Sequence, residues 1–353
     1  MKIGFDAKRY FHNNTGLGNY SRTIVRGLKE EFADDEHVLY DEKSVTRTFR
    51  LGRKAKADGC DVYVGLSNEL PLDVKKAGLK SVVTIHDVAW RTFPDMYHWV
   101  DRQLYDLKYG WAAKHADKVI AISESTKRDV MRFYGVLEER IAVVYQPVQQ
   151  LFYTPLTDDE ATQIISTQAE LKDLPKDYIL SVGSINSRKN LLGTVKALEK
   201  IAPDQRAPLI VIGNGREYRR EVERYIAEHK LGGCVCILGN VNDSRVLQAL
   251  YHKAQLMMYP SFYEGFGLPV VEATLQRCPV ITSTVSSLPE AMGPYGVTVN
   301  PHNQEELDVA LADAIDHPVD MRQRAMLCEE YARKMFDTKC LMTQLHQFIV
   351  HNA

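Results

Sequence analysis

The feature that most constrains the fold of this chain is a rhythm that runs twice along it. Short β-branched runs alternate with helical patterns, the signature of parallel strands covered by helices on both faces. In the first half, strands are expected at Lys2–Ala7, His37–Tyr40, Asp61–Val64, Ser81–His86, Lys118–Ser123 and Ile141–Tyr145. Helices fit between them, notably Gly18–Phe32 and Met96–Ala116. In the second of these, Met96, Val100, Leu104, Leu107 and Trp111 recur at helical spacing as an apolar face. The segment Gln146–Lys176 lacks an equally clear strand and contains Pro147, Pro155 and Pro175, which places a domain boundary there. The rhythm then restarts, with strands expected at Tyr178–Val182, Pro208–Gly213, Cys234–Leu238, Leu256–Pro260, Pro279–Ser283 and Gly296–Asn300. The implied fold class is α/β: two Rossmann-like, doubly wound parallel-sheet domains over 1–165 and 166–335. A C-terminal helix over 336–353 is expected to pack back toward the first. Open sheets of this kind bind ligands outside their strand carboxyl ends, here across an interdomain cleft. Function is therefore sought in strand-to-helix loops.

Composition narrows the class. The chain of 353 residues is 45% hydrophobic and 25% charged, which describes a folded globular protein and excludes a disordered or collagen-like one. Residues 1–150 hold 24 Lys and Arg against 21 Asp and Glu, and the remainder 20 against 25, so no excess points to nucleic acid. The six cysteines, at 60, 234, 236, 278, 328 and 340, form no Cys-x-x-Cys and signal neither zinc nor a redox dithiol. No apolar run approaches the roughly 18–20 residues of a membrane span, and Met1-Lys2-Ile3-Gly4-Phe5-Asp6 turns polar too early for a signal peptide. A cytoplasmic protein is expected.

The most informative stretch is Pro260-Ser261-Phe262-Tyr263-Glu264-Gly265-Phe266-Gly267-Leu268-Pro269-Val270-Val271-Glu272-Ala273, which follows a strand and opens a helix. Gly265 and Gly267 let backbone approach a ligand. Pro269 suits a first helical turn, and the helix start makes a site for an anion such as a diphosphate. Glu264 precedes that site and Glu272 lies one turn inside the helix, where a carboxylate can accept two bonds from ribose hydroxyls. A second loop, Ser181-Val182-Gly183-Ser184-Ile185-Asn186-Ser187-Arg188-Lys189-Asn190, offers a guanidinium fork and an ammonium for phosphate oxygens. Taken alone, either motif is as well explained by a solvated helix entry; their strand-loop-helix settings favour function.

The first stretch resembles the Glu-x7-Glu signature of retaining glycosyltransferases with the two-domain GT-B fold, in particular family 4. The resemblance continues through Pro279-Val280-Ile281-Thr282-Ser283 and Ser286-Ser287-Leu288-Pro289-Glu290 and spans nearly the whole chain. It implies transfer of a sugar from a nucleotide-sugar donor, with Glu264 facing the transferred sugar and Glu272 holding ribose. Gly265, Phe266, Gly267 and Leu268 lie at the donor phosphates, and Lys189 is the diphosphate lysine. Many members place an arginine directly after the strand's glycine, where this chain has Ser184, so Arg188 supplies the second cation or none does. The loop Gly239-Asn240-Val241-Asn242-Asp243 resembles the one whose main chain meets the base, through Asn240 and Val241. The resemblance leans to mannosyltransferases using GDP-mannose, with UDP-sugars open, and to polysaccharide biosynthesis.

Two loops of the first half are drawn in. Thr15-Gly16-Leu17-Gly18-Asn19-Tyr20-Ser21 resembles the family's glycine-rich loop, placing Gly16 and Gly18 near the donor phosphates or acceptor. Alone it is a partial Gly-x-Gly-x-x-Gly with Asp41 about twenty residues on, which leaves an NAD-dependent dehydrogenase as the rival reading. His86 ends the fourth strand and by resemblance touches the transferred sugar; a structural histidine bonded to neighbouring backbone is the equal alternative. Asp87 orients that loop or caps it. An epimerase of the same fold is a further alternative. There is no Asp-x-Asp, so no metal and no cofactor is expected, the helix start, Arg188 and Lys189 replacing it. The acceptor is expected to be a glycan, lipid-linked or small-molecule hydroxyl. Lys43, Arg47, Arg50, Arg53, Lys54 and Lys56, with no acidic residue between them, read first as a solvated surface. The sharper alternative is contact with a phosphate-bearing acceptor or, peripherally, with the inner face of a membrane, aided by Tyr97, Trp99 and Tyr105 if exposed.

Overall fold

The computed structural model describes residues 1–13, 16–171, 174–239, 241 and 243–351. All twelve expected strands form, each within two residues of its expected ends. They are β1 (Lys2–Asp6), β2 (Glu36–Tyr40), β3 (Val62–Gly65), β4 (Lys80–Ile85), β5 (Lys118–Ala121), β6 (Ile141–Val143), β7 (Ile179–Val182), β8 (Leu209–Ile212), β9 (Val235–Leu238), β10 (Leu256–Tyr259), β11 (Val280–Ser283) and β12 (Val297–Val299). They build two six-stranded sheets whose pairings are parallel, ordered β2-β1-β3-β4-β5-β6 and β12-β11-β10-β7-β8-β9. Parallel strands covered on both faces read as continuous apolar runs, and β3, β8, β10 and β11 are buried along their whole length.

The orders differ in a way that matters for function. The first sheet reverses direction between β1 and β3, as in flavodoxin-like folds; the second, read from β9, has the dinucleotide-fold order and reverses between β7 and β10. Each sheet therefore has one topological switch point.

Met1–Pro147 together with Phe336 onward form one compact unit, and Val148–Met335 the other. The crossing falls at Pro147, earlier than residue 165, because buried amides claim the segment after it. Gln248 Nε2 donates to the carbonyls of Leu151 (2.9 Å) and Thr154 (2.7 Å), and Gln276 Nε2 to that of Phe152 (2.5 Å). A capping box of Thr157 and Glu160 then starts the helix Asp158–Ser166, which packs on the helix Ser244–Lys253. The C-terminal helix Thr338–Val350 lies in the first unit. It buries Leu341, Met342, Leu345 and Ile349, and Met342 packs so close to Gly27 that a Cβ there would sit 2.8 Å from it.

Two expected helices differ from their readings. The helix expected from Gly18 begins at Gly16 and runs to Glu31, so both glycines lie in its first turn rather than in a loop. The expected Met96–Ala116 helix divides into a 3₁₀ turn, Pro94–Met96, and a helix, Trp99–His115. Its apolar stripe points outward: Val100, Leu104 and Leu107 are exposed, Leu107 by 70%. The buried side is Gly110, Ala112 and Ala113, with Tyr105, Tyr109 and Trp111 half-buried on the core. Small residues permit the close approach. A Cβ on Gly110 would lie 2.9 Å from the Tyr134 ring.

Candidate active site

The switch point of the second sheet gathers the residues marked by sequence. The loop after β7 ends in a 3₁₀ turn, Ser187–Lys189, capped by the Asn186 side chain, which accepts from the Lys189 N–H. The loop after β10 runs to Gly267, the N-cap of the helix Leu268–Leu275. Gly267 has φ +103°, and a Cβ there would meet Leu288 at 2.8 Å, so glycine is required on both counts. A backbone bond from Phe262 N–H to the Arg188 carbonyl (2.8 Å) joins the two loops. Ser286 and Ser287 brace the second one: Glu264 N–H donates to Ser286 Oγ (3.0 Å), and Ser287 Oγ donates to the Glu264 carbonyl (2.8 Å). That gives the Ser286-Ser287 motif a positioning role.

The loops bring three charges together. Arg188 Nη1 lies 2.9 Å from Glu264 Oε2 and Lys189 Nζ 2.7 Å from Oε1. The Lys189–Oε1 contact is close but lacks hydrogen-bond geometry, and Lys189 Nζ instead donates to Tyr259 OH while sitting 4.4 Å from the ring centroid. Arg188 Nη1 also donates to the Tyr263 carbonyl. Burial works against the Glu264 charge, but Lys189 and Arg188 outweigh it and hold its carboxyl down to about 2. Burial lowers the Lys189 pKa, with Glu264 opposing. Two cations thus bracket one carboxylate, leaving a net positive site beside a helix N-terminus, where an anion is favoured. Arg188 and Lys189 are the two cations beside Glu264, and Ser184 Oγ accepts from Asn186 Nδ2 (2.9 Å).

Glu272 has a different environment from the solvated carboxylate that an exposed helix start would provide. It is buried, and its one hydrogen bond given by the described residues comes from Tyr251 OH to Oε2 (3.2 Å). Burial pushes its carboxyl up to about 8, although Tyr251 pulls the other way. Glu272 is therefore mostly protonated at neutral pH and is poised to pair with hydroxyl groups. Tyr251 and Tyr259 were not singled out by sequence. Tyr259 carries a usable signal as the last residue of a strand at the ligand-binding edge; Tyr251, on a helix, carries none.

Of the remaining expected residues, Gly265, Phe266 and Leu268 lie in the same loop and helix start, and Val241 is half-buried in the loop after β9. Asn240 lies outside the described residues. His86, Gly16 and Gly18 belong to the first unit. His86 is buried, its Nε2 2.9 Å from the Leu66 carbonyl and its ring 4.6 Å edge-on from Tyr20. Nε2 therefore carries the proton and is spoken for by backbone, leaving Nδ1 for other partners, and burial lowers its pKa while the Leu66 bond raises it. Asp87 caps: its Oδ1 accepts from Ala89 N–H (3.1 Å). Gly18 admits no side chain, since a Cβ would fall 1.7 Å from the Asn13 carbonyl oxygen. A short helix, Lys8–His12, separates β1 from these glycines, so they do not form the dinucleotide fingerprint, which sits tight against its strand. The dehydrogenase reading fails on that geometry.

Comparison with known proteins gives the family. Residues 163–335 match the family described as glycosyl transferases group 1, and residues 39–149 match glycosyltransferase family 4. This chain is a glycosyltransferase of the family 4 type. It is 29% identical to the O-antigen chain mannosyltransferase B of Escherichia coli, over 89% of this chain and 91% of that one. Among solved structures it resembles sucrose-phosphate synthase of Thermosynechococcus elongatus (TM-score 0.77, 18% identity, 98% of each chain). It also resembles Anabaena HepE in complex with UDP and glucose (TM-score 0.74, 16% identity, 98% of each chain). At such identities the structures establish the fold, which is GT-B.

Proposed function

We propose that this glycosyltransferase moves mannose from a nucleotide-diphosphate sugar, GDP-mannose in preference to a UDP-sugar, to a hydroxyl of a glycan or lipid-linked acceptor, with retention of anomeric configuration and without a metal ion. The observation that carries this reading is the convergence of Arg188 and Lys189 at the start of the helix Leu268–Leu275. Breaking the anomeric carbon–oxygen bond to the diphosphate builds negative charge on the leaving group, and fixed cations and helix-start N–H groups stabilise that charge. Glu264 faces the sugar and Glu272 the ribose. The acceptor hydroxyl attacks on the face the diphosphate leaves, and a phosphate oxygen takes its proton. Among the described residues no group of three or more His, Cys, Asp and Glu is placed to hold a metal. The relative named as an O-antigen chain mannosyltransferase supports the choice of mannose and of a glycan acceptor.

A thermal-shift panel of GDP-mannose, UDP-glucose and UDP-N-acetylglucosamine tests the donor. A ligand at 100 times its Kd adds about 2.7 kcal/mol of stability. A shift with a UDP-sugar and none with GDP-mannose would replace the donor named here. Proton NMR of the first-formed product decides retention.

The reading includes peripheral contact with a membrane, supported by surface apolar residues rather than by the basic run. Arg47 of that run is half-buried in ion pairs with Asp6 and Glu69, Lys54 pairs with Glu42 and Arg53 with Asp73. The helix Trp99–His115 instead exposes Trp99, Val100, Leu104 and Leu107 along one side, while Tyr97 and Tyr105 pack against the core. No helix among the described residues is long and apolar enough to cross a membrane. Co-sedimentation with anionic liposomes, lost on Leu104→Glu, is the expected outcome; wild type remaining wholly in the supernatant would remove the membrane from this reading.

A further inference from the structure

A buried ammonium keeps its charge and its aim only through the groups around it, because leaving water disfavours the charged form. Lys189 carries its ammonium into such a place: the side chain is 14% exposed, and burial lowers its pKa. One wall is backbone at the end of β7, where a Cβ on Gly183 would lie 3.5 Å from both Cε and Nζ. Another is Tyr259, the last residue of β10. Nζ donates to its hydroxyl and lies 4.4 Å from the centroid of its ring, within reach of a cation–π attraction. Tyr259 is 3% exposed and fixed by the sheet, pairing with Thr282 of β11, whose Oγ1 donates to its carbonyl (2.9 Å). The rest of β10, Leu256-Met257-Met258, is apolar and buried. The hydroxyl of Tyr259 is the polar exception in that strand, and it meets the Lys189 ammonium.

The charged groups that face the ammonium are Glu264 and Arg188. Glu264 Oε1 is the closer competitor for its protons, 2.7 Å from Nζ, yet the contact lacks hydrogen-bond geometry and Oε1 has no hydrogen-bond partner among the described residues. The N–H of Lys189 goes to Tyr259 instead. An ammonium has three donors, so one on Tyr259 leaves others for phosphate oxygens, and a lone pair of Glu264 stays open. Tyr259 suits this task because it remains neutral: burial and the neighbouring Glu264 raise its phenol well above the ordinary value. Its oxygen therefore accepts from the cation without adding a negative charge that would compete with the diphosphate.

We propose that Tyr259 is a positioning residue of the transfer reaction, its hydroxyl and ring holding the Lys189 ammonium toward the diphosphate and off the Glu264 carboxylate. The proposal rests on the reading of Lys189 as a leaving-group cation. Its test compares turnover in wild type, Tyr259→Phe, Lys189→Ala and the double variant. Tyr259→Phe keeps the ring and loses one bond to a charged group, so turnover should fall about tenfold, less than in Lys189→Ala. In the Lys189→Ala background the hydroxyl has no cation to hold, and Tyr259→Phe should change turnover less than twofold. A purely structural loss would multiply instead. Tyr259→Met, which matches its strand neighbours, replaces Tyr259→Phe in the cycle if the latter does not fold. A second readout needs no donor. In protein carrying ¹³Cε-lysine, the NMR resonance lost in Lys189→Ala identifies Lys189, and in Tyr259→Phe it should titrate at lower pH than in wild type. The proposal is overturned if Lys189 titrates as in wild type, if the two losses multiply, or if Tyr259→Phe turns over as wild type does while Lys189→Ala does not. A shifted titration together with wild-type turnover in Lys189→Ala would defeat the leaving-group reading and leave the hold of Tyr259 on Lys189 standing.

Discussion

The two sheets use one topological device for opposite electrostatic ends. At the β7/β10 switch point two cations, Arg188 and Lys189, hold one carboxylate, Glu264; at the β1/β3 switch point two carboxylates, Asp6 and Glu69, hold one cation, Arg47. Each triad is internally paired, which limits the penalty of burying charge, and each keeps one unit of excess. The excess is positive at β7/β10, where the diphosphate leaving group is proposed to sit, and negative within the β1/β3 triad. The fold supplies the location, and the side chains choose the ligand.

The largest expected effect breaks the positive triad. Lys189→Ala removes a leaving-group contact and should lower turnover roughly 10²–10³-fold, by analogy with loss of one oxyanion donor. Turnover close to wild type would deny that the β7/β10 triad serves the diphosphate.

Glu264→Gln sharpens the comparison by letting one substitution act in two directions. Turnover should fall, because the carboxylate faces the reacting sugar. Affinity for inorganic pyrophosphate should rise about tenfold, since the anion no longer displaces a charge-assisted partner from Arg188 and Lys189. Calorimetry with pyrophosphate reads this, and weaker binding would show that Glu264 supports the anion rather than standing in for it.

A third outcome concerns the neutral acid beside the positive triad. Glu272→Gln should weaken nucleotide binding by only about 0.5–1.5 kcal/mol, the value of a neutral hydrogen bond. The same change should stabilise the empty protein in a pH-dependent way. The folded pKa of Glu272, about 8, lies above the ordinary glutamate value of 4.5, so its native state is favoured at low pH and that advantage is lost as pH rises through 8. The melting temperature of the variant should therefore exceed wild type most above pH 8 and converge with it near pH 4.5. Parallel melting curves at all pH values would mean that Glu272 titrates normally.

The smallest expected effect is that of chelation. With Arg188, Lys189 and a helix start on the diphosphate, EDTA should leave most activity intact. Complete loss, restored by magnesium or manganese, would show that the positive triad alone is insufficient for the leaving group.

The strand rhythm, the placing of strand ends to within two residues and the two loops that carry Arg188, Lys189 and Glu264 were legible in the chain itself, because β-branched runs, glycines and a proline at a helix start are local instructions. Periodicity alone was ambiguous where it reported an apolar stripe without its direction. Val100, Leu104 and Leu107 recur as a core face would, yet face solvent, because Gly110, Ala112 and Ala113 let the opposite side approach the core more closely. Partnership was decided by tertiary structure. Arg47 sits within a basic surface run in sequence and is the centre of a half-buried triad in space, its partners Asp6 and Glu69 lying 41 and 22 residues away. The protonation of Glu272 follows from burial beside Tyr251, and the helix after Met335 joins the first unit through Met342 and Gly27. Local sequence determines which backbone forms, since dihedral preferences and caps act over a few residues. Which charges meet, and what surrounds them, depends on contacts between residues distant in the chain, and these exist only once the sheets have assembled.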